Sequence, residues 1–514
     1  MSQLPPEYLD PRTPPDVDVT DRVRPRFPDP ALGVAVPPPP AGPAAQHGLV
    51  TVGDSLTHGL SSGAVFHTDL SWPAIVARCL QVDLPVPSYA GPLSGLPFNI
   101  EGLLRRLQDE FGDRLNPLEL VQLPFTLHGL ADDNEDYWER GPGSAAPSAN
   151  VRYANLGIYG WDVRDCLSYT AGLAATRLAS ASPHDDLFGA VPSNNSDLAA
   201  RSVLAAYGPS AAQIHAAAWL GANGGIDTLV VAHGANNALR AVVDKVVNWS
   251  DVGYDTIDGK AGYNVWRPTH FTLEYGRLVD AVRAISARRV VLATVPHVTV
   301  APIANGVNPQ RPGQKWRDGS RYFPYYTDPW ISEADFRPDR HRYLTHQQAR
   351  AIDSAIDQYN ATIADAVRHA RTEGRDWFLF DMCGVLDGLA QRRYIDDDQA
   401  AQANGWQPFP LPPELAALNT RFYRSDRTGR LDGGLFGLDA VHPTTSGYAV
   451  LAGAVLDVLH TAGVPAQQID YADLLRRDTL NRDPPALMTA ALDLVTPFLT
   501  RLVSRQGRAA GSTL

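Results

Sequence analysis

Asp439-Ala440-Val441-His442 sets a carboxylate three residues before an imidazole. At that spacing the carboxylate can turn back onto Nδ1, which leaves Nε2 free to take a proton from a hydroxyl brought in from elsewhere. Such a hydroxyl stands far upstream, in Gly53-Asp54-Ser55-Leu56. Ser55 as nucleophile, His442 as base and Asp439 as orienting acid complete the set needed for acyl transfer at a carbonyl carbon.

Two further blocks carry donors of the kind that stabilise a developing oxyanion. Asn155-Leu156-Gly157-Ile158-Tyr159-Gly160 offers the backbone N–H of Gly160, and His233-Gly234-Ala235-Asn236-Asn237 offers the side-chain amide of Asn236. One donor of this kind is typically worth ~3 kcal/mol in the transition state. If a helical turn starts at Ser55, its own N–H is a further donor. Each block also has a plain alternative. Asp54 and Ser55 suit a helix cap, Gly157 and Gly160 suit tight turns, the asparagines suit turn hydrogen bonds, and Asp439 suits a cap beside a surface histidine.

The elements around these blocks argue for the chemical reading. Short apolar runs at 49–52, 151–156, 228–232, 290–295 and 377–380 do not alternate in polarity, as expected of strands covered on both faces. Helical stretches are expected at 72–80, 199–220, 271–287, 345–371 and 445–459. Strands alternating with helices predict a parallel, doubly wound α/β sheet. Ser55, Gly160 and Asn236 each follow one of the predicted strands, where open α/β sheets bind their ligands.

With all four blocks in this order, the chain resembles the GDSL, or SGNH, hydrolase family, over roughly residues 47–460 and only as short blocks. The resemblance implies a flavodoxin-like three-layer α/β/α sandwich with a parallel sheet. It implies Ser55 as nucleophile, Ser55, Gly160 and Asn236 as oxyanion donors, and His442 as base with Asp439. The family pattern has Asp after the oxyanion asparagine; Asn237 stands there instead. The function implied is a metal- and cofactor-independent serine esterase or lipase acting on a small-molecule, carbohydrate or lipid ester. Acyl transfer with the same triad, or a silent binding protein with the same fold, stays open.

The chain divides into a Pro-rich arm at 1–46, extended or disordered, a hydrolase domain at 47–465, and a helical extension at 466–514. The domain carries long insertions at 81–150, 235–270, 298–344 and 384–435, expected to form lids or pocket walls. Residues 484–505 read as a partly amphipathic helix interrupted by Pro497 and docked on the body.

Composition narrows the partners. The 514 residues carry a formal charge of -12 and are 44% hydrophobic, which argues against nucleic acid or an anionic membrane surface. Cys79, Cys166 and Cys383 give no disulfide framework and no zinc-type spacing. No run approaches the ~18 apolar residues of a membrane span. Met1 to Asp10 lack the regions of a secretory signal, so a cytoplasmic location is expected, with export by another route left open.

Several features invite a competing reading. Gly59-Leu60-Ser61-Ser62-Gly63 matches the nucleophile elbow of α/β-hydrolases, but the predicted strand ends near Val52, well before Ser61. Asp381 ends a predicted strand and is expected to cap the next turn. His58, His67, His233 and His297 are expected to be ordinary hydrogen-bonded histidines. Trp316, Tyr322, Phe323, Tyr325, Tyr326, Trp330 and Phe336 crowd one insertion, either as ligand-stacking rings or as its own small core.

Overall fold

The computed structural model describes residues 4–37, 44–146, 150–181 and 195–489. Five strands form a parallel sheet: β1 (His47–Gly53), β2 (Asn155–Gly157), β3 (Ile226–Ala232), β4 (Ala287–Ala293) and β5 (Trp377–Phe380). Their spatial order is β2-β1-β3-β4-β5. In β1 and β3 the last five residues are buried without alternation, which is why these runs read as continuously apolar.

The main helices are α1 (Ser55–His58), α2 (Trp72–Leu80), α3 (Ile100–Phe111), α4 (Pro117–Glu139), α5 (Val163–Ser168), α6 (Gln213–Ala222), α7 (Pro268–Arg283), α8 (His346–Thr372) and α9 (Thr445–Thr461). Helices α2 and α9 pack on each other and reach β1 and β5, whereas α6, α7 and α8 form a second group against β1, β4 and β5. The arrangement is compatible with a three-layer α/β fold. The strand order reverses at β1, between β2 and β3, and this opens a crevice at their carboxyl ends.

Some expected elements shift. β2 begins at Asn155 rather than 151, because it is an edge strand paired only with Thr51 to Gly53 of β1. β4 stops at Ala293 rather than 295, where the Val295 N–H leaves the ladder to donate to Asn360 Oδ1 at 2.6 Å. The single helix expected at 199–220 is two, Asn195–Leu204 and α6, separated at Gly208-Pro209, where Gly208 takes φ 98° and proline cannot continue a helix.

The insertions hold more structure than loops. Residues 81–150 contain α3, whose Ile100, Leu103, Leu104 and Leu107 are buried on one face, and α4, opened by an Asn116/Glu119 capping box. In the 298–344 insertion Tyr322, Phe323, Tyr326 and Phe336 are buried, and the first three join the main hydrophobic core of the domain rather than a small core of the insertion's own. Of the proposed 484–505 helix, only residues up to 489 lie within the described part of the chain. Met488 and Leu487 pack there with Leu103, Leu107 and Leu123. No helix among the described residues is long and apolar enough to cross a membrane.

From residue 4 to 37 the Pro-rich arm is an extended, docked strap. Pro30 O accepts from Leu379 N at 2.9 Å, so the arm lies against the outer edge of β5 and covers it. Arg24 reaches Asp381 at 2.6 Å, Asp21 reaches Arg350 at 2.8 Å, and Asp16 reaches Arg267 at 2.9 Å. Asp381 also accepts from Gly384 N at 3.2 Å and caps the following helix. Arg24 and Asp381 keep only 9% and 10% of their side-chain surface exposed, so removing Arg24 takes the paired cation from a buried carboxylate and leaves it to the Phe27 and Gly384 N–H groups and the Thr294 hydroxyl. Arg24→Met should therefore lower unfolding free energy by ~3 kcal/mol in urea titration. A loss below ~0.5 kcal/mol would be surface-pair behaviour and would contradict the docked arm.

Candidate active site

The turn after β1 places Ser55 at the sheet's carboxyl edge, as the first residue of α1. Asp54 caps that helix by accepting from Leu56 N at 3.1 Å. The Ser55 N–H, at the first helical position, has no intrahelical acceptor. His442 Nε2 lies 2.8 Å from Ser55 Oγ, and His442 Nδ1 lies 3.0 Å from Asp439 Oδ2. All three residues are buried. A hydroxyl, an imidazole and a carboxylate linked in this order can activate a serine oxygen.

The loop carrying Asp439 is fixed from several sides. Asp439 Oδ1 accepts from Val441 N and His442 N, each at 2.8 Å, and Oδ2 also accepts from Gly63 N at 2.7 Å. Ala440 takes the left-handed conformation, φ 61°, and its carbonyl accepts from Ile303 N at 2.8 Å. Burial acts to raise the Asp439 pKa, but the His442 imidazole and these N–H donors outweigh it and hold the carboxyl below its ordinary value.

Gly160 follows β2 in a left-handed turn at φ 77°. A Cβ there would meet nothing within 4 Å, so conformation rather than space calls for glycine. Asn236 follows β3, and its Nδ2 donates to Trp161 O at 2.8 Å; an amide nitrogen carries a second hydrogen. Ser55, Gly160, Asn236, Asp439 and His442 line one cleft with Leu60, Tyr159, Leu239, Val243 and Val441 as apolar wall, and Ser196, Arg240 and Lys260 at its polar side. Asn237, one residue on, points elsewhere: its Oδ1 accepts from Val163 N at 3.4 Å.

Of the four insertions expected to wall the pocket, only 235–270 lines this cleft among the described residues; 298–344 and 384–435 border a separate cavity around Thr299, Tyr326 and Arg393. Ser61 lies on a two-residue strand, Leu60–Ser61, after α1, and not on a strand-to-helix elbow. The rest of that motif serves the Asp439 loop: Gly63 N holds Asp439, and Ser62 Oγ accepts from Leu438 N at 3.1 Å.

His58, His233 and His297 are engaged apart from Ser55, and His67 packs its ring against Phe66 at 4.4 Å. Burial pushes the His58 and His233 pKa values down to about 3, and their Nε2 atoms pair with Tyr89 Oη at 3.0 Å and Gln213 Oε1 at 2.9 Å. His297 sits between Asp387 and Asp357, at 2.9 and 3.1 Å. Burial opposes its charge, but the carboxylates hold its pKa well above the ordinary 6.5. His297, Cys383 and Asp387 form a buried group with metal-ligand chemistry, and both imidazole nitrogens are already taken by carboxylates. No local spacing in the sequence points to this cluster. Neither family models, nor curated proteins, nor solved structures yield a match to this chain.

Asp54 is a group in this site whose titration bears on stability in the opposite sense to Asp439. It is buried, and burial raises its pKa from 3.8 to about 6 despite N–H donors and the nearby His442. The folded state therefore holds this proton more tightly than the unfolded chain. Its contribution is most favourable below pH 4 and is lost as pH rises through about 6, by ~3 kcal/mol in total. Asp54→Asn keeps an acceptor for Leu56 N and removes the buried charge. Urea titrations should find the variant at least as stable as wild type at pH 8, with that advantage gone near pH 4. Equal destabilisation at both pH values would contradict a buried Asp54 charge.

Proposed function

We propose that this protein is a serine ester hydrolase of the GDSL, or SGNH, type, with a flavodoxin-like three-layer core. The observation that carries the reading is the buried Ser55–His442–Asp439 relay at 2.8 and 3.0 Å, opening on a cleft that also holds Gly160 and Asn236. The strand order β2-β1-β3-β4-β5 supports the fold assignment, since it is the flavodoxin-like order with its ligand crevice beside β1.

In this reading Ser55 Oγ attacks the ester carbonyl carbon while His442 Nε2 takes its proton. The carbonyl oxygen becomes an oxyanion held by Ser55 N–H, Gly160 N–H and the free hydrogen of Asn236 Nδ2. Collapse expels the alcohol, which takes the proton from His442, and leaves an acyl-serine. Water, deprotonated by His442, then attacks the acyl carbon and releases the acid and Ser55. Leu60, Tyr159, Leu239, Val243 and Val441 would surround an apolar acyl group.

A panel of p-nitrophenyl esters of rising acyl length, run beside acetylated sugars, tests the activity and its substrate class together. Ser55→Ala should abolish turnover and Ser61→Ala should largely keep it. Asn236→Ala should lower kcat by ~10²–10³ with little change in KM, because an oxyanion donor acts mainly in the transition state. The Asp439 carboxyl, held below its ordinary value of 3.8, should stay ionised and keep orienting the imidazole as pH falls toward that value. Full activity in Ser55→Ala would overturn the proposal.

A further inference from the structure

We propose that Lys260 is a positioning residue for the oxyanion donor on Gly160, an inference that rests on the ester-hydrolase reading above. The donor sits in a turn that sterics do not hold. Gly160 has no side chain, takes φ 77°, and has open space where a Cβ would lie. A glycine in that region moves readily, so hydrogen bonds must fix the direction of its N–H. The two carbonyls that follow are both held. Lys260 Nζ donates to Gly160 O at 3.0 Å, and Asn236 Nδ2 donates to Trp161 O at 2.8 Å.

Lys260 is itself locked. Its side chain is 12% exposed, it is ion-paired and hydrogen-bonded to Asp165, and Asp162 Oδ2 lies 3.9 Å away. Asp162 and Asp165 form the capping box of α5, immediately after the Gly160 turn. Arg164, on the same helix, reaches the opposite way and donates to Tyr254 O at 2.7 Å and Thr256 O at 2.8 Å. The insertion thus sends a cation down to the turn, and the turn's helix sends one up to the insertion. Two carboxylates, Asp162 and Asp165, balance the two cations. Lys260 lines the cleft beside Ser55, but with its charge matched by Asp165 it acts through the Gly160 carbonyl rather than as a free cation on substrate.

The test compares wild type with Lys260→Met, which keeps the stem and loses the donor, and Lys260→Arg, which keeps a donor and the charge. The readouts are kcat and KM on p-nitrophenyl butyrate and the affinity of phenylboronic acid, whose tetrahedral serine adduct engages the oxyanion donors. Lys260→Met should lower kcat by ~10–10²-fold and weaken boronate binding by a similar factor, with KM within about twofold. Lys260→Arg should recover to within about threefold of wild type, and the pH midpoint of kcat should stay in place in both variants. If Lys260→Met does not fold, Lys260→Met/Asp165→Asn removes the buried charge along with its partner and carries the same comparison. Unchanged kcat and boronate affinity in a folded Met variant, or a loss confined to KM, would overturn the role of Lys260 alone. A wild-type protein that neither hydrolyses the ester nor binds the boronate would overturn the function proposed above together with it.

Discussion

The arrangement around Ser55 depends on a carboxylate kept ionised out of water. Asp439 is buried, and an isolated buried carboxylate would take up a proton and cease to orient an imidazole. Its charge is met by the N–H groups of Gly63, Val441 and His442 and by the His442 ring. These donors come from two ends of the domain. The Asp439 loop closes on itself through the left-handed Ala440, and the segment after α1 contributes Gly63 from far upstream. The contact that keeps Asp439 charged therefore also joins the carboxyl edge of β1 to the loop before α9. Ser55 and His442 are brought to 2.8 Å by the same closure.

The sheet supplies the remaining order. β1 has β2 on one side and β3 on the other, so the turns after all three strands meet at one crevice. Gln213 reinforces the meeting point from α6: its Nε2 donates to Gly53 O at 2.8 Å and Leu156 O at 2.5 Å, and its Oε1 is held by His233. A side-chain amide thus ties the ends of β1 and β2 to the block that carries Asn236. The 235–270 insertion then closes one side of the crevice through Lys260 and Arg164, and the arm at 4–37 seals the far edge of the sheet.

Much of this was legible in the sequence because it is local. Ser55 and Asn236 follow strands whose buried apolar runs are unbroken, Gly160 follows the short edge strand Asn155–Gly157, and Asp439 and His442 are only three residues apart. What was missed is of two kinds. Some signals were present and underweighted: Gly208-Pro209 breaks the 199–220 helix, and Asn116-Pro117 with Glu119 announces α4. Others leave no local trace. Gly63 at Asp439, Lys260 at Gly160 and His297 between two aspartates pair residues 60 or more positions apart, and nothing in their spacing marks them. The elbow-like motif at Gly59 to Gly63 illustrates the difference. Its pattern suggests a nucleophile, whereas Ser62 and Gly63 hold the loop that bears Asp439.

In the proposed reaction Ser55 Oγ is the nucleophile and His442 activates it. Covalent trapping with a fluorophosphonate, followed by peptide mapping by mass spectrometry, tests this assignment most directly. A single phosphonyl adduct is expected on the peptide containing Ser55, with the labelling rate falling sharply in a folded His442→Ala variant. Modification at Ser61 or at any other residue, or Ser55 labelling that is indifferent to loss of His442, would contradict it.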